Sequence, residues 1–323
     1  MPSPPRILLP EYPVLITTRT EQGLPFVSTE VMTLILLSTL AKAYELYGDG
    51  IKVCHFIIMG NHLHLLVIVK SPDAVAAFMN YLKMETAHAV NKLLARRKRT
   101  VWEDGYDAVS ILTVNDAIEK IAYIYTNPQK ANLVEKIEEY PGVSSWKMFS
   151  ENKLSIEVPR IARPSIEPRC SVESLTEASL GKTASFTLSP NSWIPLLYEG
   201  TLEESEIQEI NTKIHERVRQ IEAEYQNTRQ VKQIQVLGAK RLSRQAIDKP
   251  YSPSKFSKRM WCICKDLELR ASFINSIKAL IDSAKKVYNL WKTGDTKVRY
   301  PVGMFPPRFP RLVNPYRAAL ANT

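Results

Sequence analysis

The chain has 323 residues, 45% of them hydrophobic and 24% charged, enough for a substantial core and, at roughly 150 residues each, about two domains. That balance excludes a largely disordered chain and a multi-span membrane protein. The formal net charge of +10 favours an acidic partner, nucleic acid ahead of an anionic membrane surface. Residues 1–150 hold 15 basic and 15 acidic side chains, 151–224 hold 8 and 13, and 225–323 hold 20 and 5, so the last segment carries +15.

Four cysteines, Cys54, Cys170, Cys262 and Cys264, are too few for a disulfide framework. The single Cys-x-Cys pair supplies at most two thiolate ligands, so free thiols in a reducing compartment are expected. The opening MPSPPRILLPEYP has no basic segment leading into an apolar one. The most apolar run, 31–41, is far shorter than the roughly 20 residues of a membrane span. These features predict a cytoplasmic protein without membrane contact.

Periodicity then orders the elements. Residues 13–19 (PVLITTR) predict a strand, and Thr29 caps an apolar helix running to about Tyr47, stopped by Gly48 and Gly50. Two β-rich runs, 51–59 and 62–69, meet at the tight-turn pair Gly60-Asn61. Ser71-Pro72-Asp73 opens a helix expected to continue through Arg97, a short strand follows at 107–112, and a helix begins near Asn115 that must end or kink at Pro128. The order β-α-β-β-α-β plus a helix predicts an α+β, ferredoxin-like antiparallel sheet with helices on one face, leaving the other face free for a ligand. On this reading residues 1–150 form one domain, the Pro- and Ser-bearing 151–200 a linker, and 201–323 a mainly helical, basic region with helices near 201–227 and 265–292.

The chemistry concentrates in the first unit. Only five histidines occur, yet His62 and His64 are one residue apart in a predicted strand. The period of two puts both imidazoles on one face and sends Leu63 and Leu65 into the core. Read alone, the pair is either a bidentate corner for a divalent metal or two half-buried polar residues at a strand start. Tyr123 and Asn127, four apart, share a helix face, with Tyr125 on the opposite side. Oxygen donors added to two imidazoles suit Mg²⁺ or Mn²⁺, although a packed aromatic at Tyr123 fits the periodicity equally well. His55 is expected in the core, His88 and His215 facing solvent without partners, and Glu103, Asp104 and Asp107 in a loop.

Three segments, MGNHLHLLV (59–67), YIYTNPQKANLV (123–134) and EYPGVSSW (139–146), occur in an order and spacing that resembles the single-tyrosine HUH transposases, and within them the REP-associated tyrosine transposase branch. The resemblance covers roughly 13–148. It implies that His62 and His64 are metal ligands, that Asn127 is the third, and that Tyr123 is the nucleophile. Gly60 stands where the family often has proline and keeps the turn tight. The implied activity is metal-assisted cleavage and rejoining of single-stranded DNA at hairpin-bearing sites through a 5′-phosphotyrosine, with Mg²⁺ or Mn²⁺ as cofactor, in a monomer or homodimer. A DNA-binding regulator on the same fold, with cleavage lost or incidental, is the main alternative. A phosphoesterase in which Tyr123 merely packs is a more distant one.

Two basic groups are candidate DNA contacts. Arg96, Arg97, Lys98 and Arg99 would close the second long helix, where cations also favour the macrodipole. Lys240, Arg241, Arg244, Lys255, Lys258 and Arg259, with Lys249 nearby, are interleaved with Tyr251, Phe256 and Trp261, a pattern suited to neutralising phosphates and stacking unpaired bases. Arg308, Arg311 and Arg317 in the proline-rich tail would follow the backbone as an extended arm.

Overall fold

The computed structural model describes residues 5–21, 26–97, 99–179, 181–247, 260–295 and 297–308. Strand β1 (Pro13–Arg19) is followed by helix α1 (Glu30–Tyr47), whose first turn is capped by the Thr29 hydroxyl. Strands β2 (Ile51–Met59) and β3 (His62–Val69) form a hairpin across Gly60-Asn61. Helix α2 (Pro72–Leu93) carries Ser71 at its cap and proline in its first turn. Strand β4 (Asp107–Ile111) and helix α3 (Val114–Tyr125) complete the expected order. The strands lie in the order β2-β3-β1-β4, each antiparallel to its neighbour.

The chain departs from expectation at several points. Helix α2 ends at Leu93, and Ala95 takes a left-handed backbone (φ 47°), so Arg96, Arg97 and Arg99 lie beyond the helix rather than in its last turn. No glycine or proline marks this stop. The stretch 151–200 is packed structure, not a linker. After the short helices α4 (Asn127–Lys130) and α5 (Trp146–Ser150), strands β5 (Ser155–Pro159) and β6 (Thr183–Thr187) pair antiparallel, flanking α6 (Val172–Ala178) and followed by α7 (Ile194–Leu197). Phe186 of β6 touches Phe56 of β2 and Tyr44 of α1, with ring centroids 5.6 and 5.1 Å away, and Trp193 is fully buried.

The sheet is also covered on both faces. Phe56 points to the α1 side; its neighbour His55 points the other way and meets Tyr125 of α3. Helix α8 (Glu204–Lys232) packs against α3, with Arg217 paired to Glu119 at 3.0 Å. The face expected to stand free therefore carries α3 with α8 behind it, while His62 and Tyr123 keep partial exposure. Beyond α9 (Ala239–Leu242), β7 (Cys262–Ile263) adds a parallel fifth strand beside β4, and α10 (Leu267–Lys292) follows, capped by Asp266. No helix among the described residues is long and apolar enough to cross a membrane.

Candidate active site

Strand β3 presents His62 and His64 on the α3 side of the sheet, while Leu63 and Leu65 are buried in the core. Their ring centroids are 5.0 Å apart. Each Nδ1 is engaged: His62 with Asn61 Oδ1 at 2.8 Å, and His64 with the Thr17 hydroxyl at 2.9 Å, directly across the β1–β3 register. Because Asn61 Oδ1 only accepts, the His62 proton sits on Nδ1 and its Nε2 lone pair is left for another partner. Burial, and then the charge of Arg19, push the His62 pKa down to about 4, against a hydrogen bond with Asn127 that acts the other way. Burial, the neighbouring His62 and the cations Arg19, Lys120 and Lys130 hold His64 well below the ordinary histidine range. Both rings are thus kept neutral, the form that ligates metals.

Helix α3 brings the tyrosine to these rings. Thr113 caps it, and Ala117, Ile118, Ile121, Ala122 and Tyr125 are buried. Tyr123 lies with its ring centroid 5.6 Å from that of His64. The helix breaks at Thr126, whose hydroxyl bonds back to the Ala122 carbonyl, and resumes as α4 at Asn127-Pro128. Asn127 Nδ2 donates to the Tyr123 carbonyl at 2.9 Å, and the same amide lies within hydrogen-bond reach of His62. His62, His64, Tyr123 and Asn127, distant in sequence, therefore form one cluster.

The donor set fits a divalent cation in part. It offers two neutral imidazoles and one carboxamide, and no group of three or more His, Cys, Asp or Glu placed to hold a metal ion occurs among the described residues. Such a set leaves most of a hard cation's shell to water and phosphate oxygens, the habit of Mg²⁺ and Mn²⁺.

Sequence reasoning overlooked the positive charge around Tyr123. The ammonium groups of Lys130 and Lys120 lie 5.0 and 5.4 Å from its ring centroid. Burial holds the Lys120 ammonium below its usual range, with Asp116 opposing. Arg19 stands opposite His62 in the register. The signal was present: Lys120 is three residues before Tyr123 and Lys130 three after Asn127, hence on the same helix face.

The third motif serves structure. Tyr140 donates to the Ile58 carbonyl at 2.8 Å, Ile58 N–H donates to Val143, and Ser145 N–H to Phe56, pinning this turn to the outer edge of β2. Tyr125 lies between His55 Nδ1 (2.7 Å) and the Ser145 hydroxyl (2.9 Å), so His55 belongs to the core as expected. His215 is not a lone solvent-facing residue: it stacks on Phe149 at 5.0 Å and touches Trp146. His88 is half-buried near Glu85. Glu103 and Asp104 lie in a loop, and Asp107 begins β4.

The predicted DNA contacts are dispersed. Arg97 and Arg99 are exposed, and Arg96 donates to Asn91 Oδ1 at 2.8 Å. No hydrogen bond or ion pair among the described residues joins these three to the histidine–tyrosine cluster. Lys240, Arg241 and Arg244 are exposed on and just after α9. Lys98, Lys249, Tyr251, Lys255, Phe256, Lys258, Arg259, Arg311 and Arg317 lie outside the described residues.

Residues 29–127 match the family described as "Transposase IS200 like". A solved structure of a REP-associated tyrosine transposase bound to a REP hairpin is similar over 47% of this chain and 87% of its own, with 15% identity and a TM-score of 0.40. No curated protein matches.

Proposed function

We propose that this chain, whose residues 29–127 are similar to the IS200-like transposases, is a metal-dependent, single-stranded DNA endonuclease and strand transferase that works through Tyr123 on a ferredoxin-like unit. The observation that carries this reading is the convergence of His62, His64, Asn127 and Tyr123, with Lys120, Lys130 and Arg19 around them.

The Tyr123 oxygen attacks the scissile phosphorus. The bond to the 3′ oxygen breaks, the phenolic proton ends on that oxygen, and the products are a 5′-phosphotyrosine and a free 3′-OH. Lys120 and Lys130 supply positive charge where the phosphate gathers negative charge. Asn61 and Thr17 fix the two imidazoles, and the Tyr123 carbonyl fixes the Asn127 amide. His62, His64 and Asn127 would hold Mg²⁺ or Mn²⁺, which when bound would add positive charge beside the phosphate. A phosphotyrosine conserves the bond energy, so an incoming 3′-OH can displace Tyr123 and rejoin strands.

A labelled, hairpin-bearing single strand incubated with the full chain and Mg²⁺ is expected to yield a covalent protein–DNA adduct. That adduct should be absent with Tyr123→Phe, with His62→Ala plus His64→Ala, and in EDTA. Hairpin binding without any adduct would establish the regulator instead, and an adduct that survives Tyr123→Phe would refute the tyrosine assignment.

A further inference from the structure

Tyr123 opens on a cleft of about 450 Å³ whose walls include residues far outside the IS200-like segment. Helix α3 contributes Lys120 and Tyr123, α8 contributes Tyr225, and the stretch around β7 contributes Met260, Lys265 and Arg270. This far wall is firmly placed. β7 pairs with β4 at Ser110–Cys262 and Ile111–Ile263. The Lys265 N–H donates to Asp116 Oδ2 at 3.1 Å, and that carboxylate, itself buried, also accepts from the capping hydroxyl of Thr113 at 2.6 Å. The wall is therefore tied to the first turn of the helix that carries Tyr123.

The charges of the cleft divide into spent and available. Arg217 is engaged by Glu119 at 3.0 Å and Glu224 at 3.3 Å, and Asp116 is occupied as above. Lys265 and Arg270 are exposed and form no ion pair with another described residue. Met260 leaves about half of its surface exposed, 51%, although it is a large apolar side chain. A cavity of this size suits a ligand of a few hundred Å³. An aromatic and an apolar side chain beside unspent cations suit a flat base joined to a phosphate.

We infer that this cleft seats one unpaired nucleotide next to the scissile phosphate, with Tyr225 and Met260 against the base and Lys265 and Arg270 on the phosphates. The inference deepens the cleavage reading and rests on it for the identity of the strand. It assigns to β7 and the start of α10 a direct role in holding substrate beside Tyr123.

The test uses the full chain and a fluorescein-labelled dT12 strand, with a 12-base-pair duplex as comparison. Lys265→Ala plus Arg270→Ala, both exposed and so harmless to folding, should raise the Kd for dT12 about tenfold at moderate salt. It should also reduce the slope of log K against log salt by about 1.4, two phosphates' worth for a single strand. Tyr225→Leu should raise the Kd about fivefold or more with the slope unchanged. Both losses should be smaller on the duplex. Kd and slope equal to wild type in the double variant, with wild-type thermal stability, overturn the inference. Adduct formation by the wild-type chain is measured in parallel. Adducts with unimpaired dT12 binding in the variants sink the cleft and leave cleavage standing; impaired binding with no wild-type adduct upholds the cleft and sinks the cleavage reading.

Discussion

Tyr123 and Tyr125, two residues apart on one helix, live in opposite surroundings. Tyr123 faces the imidazoles and ammonium groups, whereas Tyr125 is fully buried in a directed chain of hydrogen bonds. Pro190 offers only a carbonyl, so His55 donates to it from Nε2 and accepts from the Tyr125 hydroxyl at Nδ1, while the Ser145 hydroxyl lies 2.9 Å from that of Tyr125 and reaches the Phe56 carbonyl. Tyr125→Phe leaves the buried Nδ1 without a donor and should cost about 1–3 kcal/mol in urea denaturation, yet retain the adduct that Tyr123→Phe abolishes. Helix parity made this division legible in the sequence; the partners of Tyr125 come from β2 and from the 140–145 turn and were not. His55 also sets a pH dependence. Burial lowers its pKa from 6.5 to about 3, so between those values the unfolded chain binds the extra proton. The stability that neutral His55 provides is complete above pH 6.5 and is lost as pH falls towards 3. Between pH 7 and 5 the unfolding free energy should decline, by at most about 1.4 kcal/mol per pH unit for this group. His55→Gln should flatten that slope whatever it does to stability at pH 7; an identical slope would show that other groups set it.

Helix α8 braces the short helix that carries Asn127 and Lys130. The buried Glu222 carboxylate accepts from Gln129 Nε2 at 2.7 Å, from the Ile137 N–H at 2.8 Å and from Arg219 at 2.7 Å. Buried Arg229 donates to the Gln129 carbonyl at 3.0 Å and pairs with Glu135. Glu222→Ala strands two buried donors at once and should cost about 2–4 kcal/mol. Glu222→Gln, which keeps the shape and one acceptor oxygen, should cost less. Urea denaturation of the full chain decides, and two variants as stable as wild type would mean that α4 holds itself. The amphipathic stripe of α8 shows in its sequence that one face is buried, but not against what. The same limit explains β5, β6 and β7. β5 alternates but ends in proline, and β7 has only two residues, which carry no period; its place is set by the open edge of β4, more than 150 residues earlier. Elements β1 to α3, by contrast, have clear periods and caps at Thr29 and Ser71, and their order was legible, although α3 is capped by Thr113 just before the start expected near Asn115.

At the scale of the molecule, the composition separates a neutral first 150 residues from a +15 C-terminal segment, while the packing joins them. Trp193, Phe186 and Leu188 are buried in the same core as β2 and β3, Val218 of α8 joins that core, and β7 extends the sheet. Cutting the chain at residue 150, where charge and proline content suggest a boundary, would bare the α1 side of Phe56. It would also remove the cover of α3, the brace on α4 and the far wall of the Tyr123 cleft. A single buried aromatic of this kind accounts for about 1.5–3 kcal/mol of transfer free energy. Losing several, together with the buried hydrogen bonds of Glu222, is comparable to the whole 5–15 kcal/mol stability of a typical domain. The fragment 1–150 should therefore show weak near-ultraviolet dichroism, no cooperative thermal transition and rapid proteolysis, whereas the full chain unfolds cooperatively. A fragment melting cooperatively within a few degrees of the full chain would mean that the first unit is self-sufficient and that the C-terminal half contributes to function without contributing to the fold.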